Sequence, residues 1–179
     1  MKLISEFANA VTMLPFIFLS LYTPNVYQSI LITCMWISAF LNHWFLHINR
    51  KKESNFYLLL DCCFQIGSLA ILPFAASCIK MNKHMRGTFV SICIAFIMCI
   101  IGLFLLDKTD LIIQIVSIAH IANAIYGYMY VCNYRYYSLS MVFLFLTGIL
   151  YFSKSALAWA IAHVCLFLYI LFFWKSLGI

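Results

Sequence analysis

The chain has 179 residues, 66% of them hydrophobic, 18% aromatic and only 9% charged, with a net charge of +6. That composition leaves no room for a water-soluble domain with its own core. A hydrocarbon layer of ~30 Å takes ~20 apolar residues per helical crossing, so seven crossings would use ~140 residues and leave short loops.

Charges and turn formers predict the boundaries in chain order. The first apolar run covers about 7–21 and ends at Tyr22-Thr23-Pro24-Asn25. The second covers 26–48 and stops at Asn49-Arg50-Lys51-Lys52-Glu53. The third covers 56–79, before a basic loop at 80–87. The fourth, 88–106, ends at Asp107-Lys108-Thr109-Asp110, where Thr109 or Asp110 could cap the next helix. The fifth covers 111–132. The last forty or so apolar residues are split by Ser153-Lys154-Ser155 into helices at 136–152 and 156–174. Only helices or closed barrels satisfy the backbone in lipid, and continuous apolar runs lack a barrel's alternation. The expected fold is a seven-transmembrane all-α bundle in one polytopic domain, 1–179. Six helices is the alternative, if the first run only lies in the interface.

The first run has no small-x-small cleavage site, and Glu6 and Pro15 suit a signal peptide poorly, so it is expected to persist as a helix. Lys2, Arg50, Lys51, Lys52, Lys108 and Lys154 fall on the N-terminal face, and Lys80, Lys83, Arg86, Arg135 and Lys175 on the other. That near balance sets no orientation by the positive-inside rule. Basic loops suit anionic lipid headgroups, and their scatter argues against nucleic acid. Of eight cysteines, most fall inside apolar runs and none forms a C-x-x-C pair, so packing is their expected role.

Ionisable groups inside the spans are costly and usually face a bundle interior or cavity. His43, Asp61, His120 and His163 are such groups, and His47 sits near the end of its span. At a rise of 1.5 Å per residue, His43 and Asp61 lie roughly 8 Å from the N-terminal face, His163 roughly 13 Å and His120 roughly 15 Å. Four helices thus present polar groups in one layer. Asp61, Gln65 and Ser68 form a stripe on the third helix; Ser117, His120, Asn123, Ala124 and Gly127 share a face of the fifth; Ala156, Trp159, Ala160 and His163 share one on the last.

Imidazoles and a carboxylate together are zinc ligands, and zinc with an open position lowers the pKa of its bound water towards ~7. In that chemistry His43, His47, His120 and His163 are the candidate metal ligands, and Asp61 is a ligand or general base. Ser38, Gln65, Ser68, Ser117, Asn123 and Trp159 form the accompanying substrate or helix-packing face. Structural roles stand beside these: His47 as an interfacial residue, His84 as a solvated loop residue, His120 as a helix–helix hydrogen bond, and Asp61 with His43 as a buried pair.

Trp36-Ile37-Ser38-Ala39-Phe40-Leu41-Asn42-His43, Leu59-Leu60-Asp61 with Gly67-Ser68 and Pro73, and Trp159-Ala160-Ile161-Ala162-His163 occur in this order. They resemble the motifs of a superfamily of seven-helix membrane hydrolases, which includes alkaline ceramidases, progestin and adipoQ receptors and hemolysin III-type proteins. The resemblance implies a zinc ion near the cytosolic face, hence a cytosolic N-terminal face, and a lipid amide or ester as substrate. Two departures stand out. Ser38 precedes His43 by five residues where the family has four, and Trp159 replaces the first histidine of the final His-x-x-x-His. His47 or His120 could substitute. The expected function is therefore a zinc-dependent intramembrane hydrolase. Its alternative is a non-catalytic bundle subunit that packs against lipids, partner membrane proteins or further copies of itself. A proton or solute pathway would use the same layer, but the chain has neither broken helices nor inverted repeats to support it.

Overall fold

Proline inside a helix lacks an amide donor, and its ring clashes with the carbonyl four residues earlier. Pro15 does this to the first apolar run. The computed structural model describes residues 2–23, 26–75, 83–153 and 155–178. In it the run forms two helices, α1 (Lys2–Val11) and α2 (Phe16–Tyr22), where the sequence predicts one. Val11, four residues before Pro15, closes α1, and short bonds such as Leu14 N–H to the Val11 carbonyl carry the chain round the corner.

The remaining helices are α3 (Val26–His47), α4 (Lys51–Ala75), α5 (Lys83–Leu105), α6 (Thr109–Tyr128), α7 (Tyr134–Phe152) and α8 (Ala156–Ser176). No strand occurs among the described residues. Helix α4 starts five residues earlier than the apolar run, because Arg50 pairs with Glu53 at 2.8 Å and Glu53 suits the positive helix start. Helix α5 likewise takes in part of the predicted basic loop; the rest of that loop, and the expected end of the third run at 79, lie outside the described residues. The side chain of His84 lies outside them too.

Four segments are long and apolar enough to cross a membrane: Ser29–His47, Asp110–Tyr128, Tyr134–Phe152 and Leu157–Ser176. Glu6–Tyr22 and Val90–Leu105 are shorter apolar helices. This all-α architecture is consistent with an integral membrane protein. Helix α1 points the same way, since it is inverted relative to a helix on a water-soluble protein. Asn9 is buried, while Phe7 and Val11 face outwards, the arrangement expected where the surroundings are lipid.

Local chemistry closes the helices. Asn49 and Asp107 adopt positive φ after α3 and α5. In each case the following amide, Arg50 or Lys108, bonds back five residues, to Phe45 at 2.7 Å and Leu103 at 2.8 Å. These are left-handed C-terminal caps, which short polar side chains tolerate. Helix α6 begins with Lys108 at its cap and no side-chain cap bond, so the expected capping role of Asp110 becomes a first-turn charge. Asn133 caps α7, accepting from the Arg135 and Tyr136 amides.

Two apolar clusters flank the interior. Met13, Phe16 and Leu19 pack with Met35 of α3 and Tyr169 and Phe173 of α8. Cys62 and Ile66 of α4 pack with Ile100 of α5 and Ile112 and Val116 of α6. The seven described cysteines are all free thiols, and Cys78 lies outside the described residues. Gly127 of α6 makes room for the Phe173 ring of α8, which a Cβ there would overlap. Between the clusters lies the polar layer.

Candidate functional site

The stripes on α3, α4, α6 and α8 converge on one cavity of about 770 Å³. His43, Asp61, His120 and His163 all line it, together with Gln65, Ser117 and Trp159. The wall opposite is α7, which adds Thr147, Gly148 and Tyr151. The outer rim is apolar: Ile121 of α6 and Phe145, Ile149 and Phe152 of α7 line the cavity and are each at least 50% exposed. The cavity therefore runs from an apolar flank between α6 and α7 to a buried polar floor. Among the described residues, no lysine or arginine lines it.

The floor has two parts. In the first, the rings of His43 and His163 lie 5.0 Å apart, both held from the N-terminal segment. Glu6 Oε2 lies 3.0 Å from His43 Nδ1, and Asn9 Nδ2 also donates to that carboxylate, at 3.4 Å. Thr12 donates its hydroxyl to the Asn9 carbonyl. Its oxygen is then left to accept from His163 Nδ1 at 3.1 Å. An ionised carboxylate only accepts, so the proton of a neutral imidazole sits on Nδ1 in both rings and Nε2 is left as an acceptor. Tyr151 packs against His163 and Trp159.

In the second part, Gln65 joins α4 to α6. Its Nε2 donates to Asp61 Oδ1 at 3.2 Å, and its Oε1 lies 3.1 Å from His120 Nε2. Asp61 thus has Gln65 as its hydrogen-bond partner, whereas the sequence pairs it with His43. Glu6 takes that place because α1 packs against both α3 and α8.

Four other candidates sit apart. Ser38 is buried on α3 but does not line the cavity. Ser68 donates to the Gln65 carbonyl and, with Asn123, lines a second, smaller void. His47 lies near the end of α3 against the rings of Phe7 and Trp44. Sequence reasoning missed Glu6, Asn9, Thr12 and Tyr151. The spacing Glu6–Asn9–Thr12, i, i+3, i+6, was the available signal for the first three.

The zinc site implied by the family resemblance needs three protein donors around one ion. No group of three His, Cys, Asp or Glu side chains among the described residues is placed to hold one. The reasons are local: Trp159 stands where a third imidazole would be, Asp61 and His120 are drawn to Gln65, and His47 faces Phe7. The donors near His43 stop at a pair, so the arrangement does not fit the metal. Acid–base chemistry is another matter. An imidazole oriented through Nδ1 by a carboxylate, with Nε2 available, is the usual arrangement of a general base.

No protein-family model, no curated protein and no solved structure matches the chain.

Proposed function

We propose that the chain is an integral membrane protein of seven spans, α1 and α2 together making the first, that takes one lipid-like amphiphile into the large cavity. The hydrocarbon chain lies between α6 and α7, and the polar linkage rests on the histidine–aspartate floor. One observation carries this reading: a single cavity joins an exposed apolar rim to buried His43, Asp61 and His163. A pocket of this size, mostly apolar with a few convergent polar groups, suits a ligand of several hundred daltons. The imidazole Nε2 atoms and the Asp61 carboxyl of the floor suit a linkage that offers hydrogen-bond donors beside a carbonyl. The matching reaction is hydrolysis of an amide or ester. His43, oriented by Glu6, takes a proton from water at Nε2 as the water oxygen bonds to the carbonyl carbon. The tetrahedral intermediate then breaks its C–N or C–O bond, the His43 imidazolium returns the proton to the departing amine or alcohol, and a fatty acid is left.

Gly148 gives a clean test, because a Cβ there meets no atom within 4 Å and a larger side chain would fill the cavity. In bilayers, a photoreactive acyl amide should label the wild-type chain on α6 and α7, and Gly148→Leu should remove most of that labelling. Equal labelling of the two proteins would sink the proposal.

The non-catalytic subunit is the second reading, and the missing third donor favours it. Release of fatty acid from the bound amide or ester separates the two. Labelling without release leaves a lipid-binding subunit.

A further inference from the structure

Behind the polar floor lies a second void of about 20 Å³, enclosed by α2, α3, α4, α6 and α8. One water needs ~10–15 Å³ of such volume, together with two to four polar partners. The void has room for one water, two at most. Its polar lining comprises Gln65, Ser68, His120, Asn123 and Tyr169, every one at least nine-tenths buried.

The hydrogen-bond chemistry around it is directional. Gln65 uses its amide nitrogen on Asp61, so its Oε1 can only accept, and His120 must carry its proton on Nε2 to donate to it. That leaves His120 Nδ1 as a bare acceptor. Among the described residues Nδ1 has no partner, and neither has the Asn123 Nδ2 donor three residues along the same helix. Asn123 interacts with the Tyr169 hydroxyl, but no hydrogen bond of ordinary length and angle reaches its Nδ2. That hydroxyl is itself turned to donate to the His120 carbonyl at 3.4 Å. One unpaired acceptor and one unpaired donor, each costing ~1–3 kcal/mol if left unmet, therefore line the same water-sized space.

We propose that this void is a binding site for an internal water that donates to His120 Nδ1 and accepts from Asn123 Nδ2. The Ser68 and Tyr169 oxygens are further partners within the same wall. The water has a consequence for the cavity on the other side. By holding His120 in its Nε2–H form, it fixes the Gln65 amide with its NH₂ towards Asp61. A reversed amide would set two acceptors against each other at Asp61 and two donors at His120. Asn123 is thus a positioning residue for Asp61, acting through the water, His120 and Gln65. None of this depends on what occupies the large cavity.

The test is solid-state NMR on histidine-labelled protein in bilayers, with His120 assigned from its Ala119–His120–Ile121 correlations. The expected wild-type result is a neutral Nε2–H tautomer whose Nδ1 shows a contact to water protons. In Asn123→Leu, which removes the donor and fills the void, the His120 water contact should disappear while the signals of His43 and His163 stay in place. An Nδ1–H tautomer, or no water contact in the wild-type protein, overturns the proposal. The wild-type spectrum decides the matter even if the variant fails to fold. If it does fold, a water contact at His120 that survives in Asn123→Leu also overturns the proposed site.

Discussion

His43 and His163 meet the cavity with their Nδ1 atoms held from α1 and their Nε2 atoms left to a ligand. A helix away, His120 and Asp61 are tied to one another through Gln65. Both groups are buried and built from the same residue types, yet their freedom differs. The first pair is oriented from behind by Glu6 and Thr12, so each ring keeps a functional edge. The second joins α4 to α6 through Gln65. Burial alone therefore does not mark the chemically available residues of a membrane bundle; the direction of each hydrogen bond does.

That contrast can be broken from either side. Gln65→Leu should have the largest effect. It strips the partner from both Asp61 and His120, and should lower stability by about 3 kcal/mol, read as a shifted unfolding midpoint in detergent micelles. An unchanged midpoint would mean that the α4–α6 link carries no structural load. Glu6→Ala should act on the other half, at a cost of only about 1–2 kcal/mol. Its signature is functional: acyl-amide labelling or turnover should drop at least tenfold by loss of one charge-assisted bond, ~1.4 kcal/mol per factor of ten. Should Glu6→Ala unfold the chain while binding per folded molecule stays intact, the two halves are alike after all. His47→Ala should change neither readout, staying within ~0.5 kcal/mol. A large loss of turnover there would bring His47 back among the site residues.

Much of the layer was legible in the sequence. Helical rise alone puts His43, Asp61, His120 and His163 at similar depth, and all four line one cavity. The small-residue face of α6 was legible too, in that Gly127 is where α6 meets Phe173. The partners were not. Asp61 was matched to His43 because both stood at one depth, but depth says nothing about rotation around a helix axis. Gln65, four residues from Asp61 on its own helix, competes with no such uncertainty. Glu6 was read only as unsuited to a signal peptide, since a straight first helix leaves it at the lip of the membrane. Packing of α1 against α3 and α8 sets it against His43, and packing partners cannot be read from hydropathy.

The contacts of the N-terminal segment also bear on how the molecule is made. Thr12 finds its partner in His163, 151 residues later. During synthesis the polar residues Glu6, Asn9 and Thr12 are made long before α8, so one of their two histidine partners arrives much later. Helices in lipid insert first and associate afterwards, and a buried polar face without partners is costly there. The first segment is thus expected to linger near the interface, or to be shielded by other factors, and to dock when the final helix is complete. Assembly of the site would then report that α8 has been inserted.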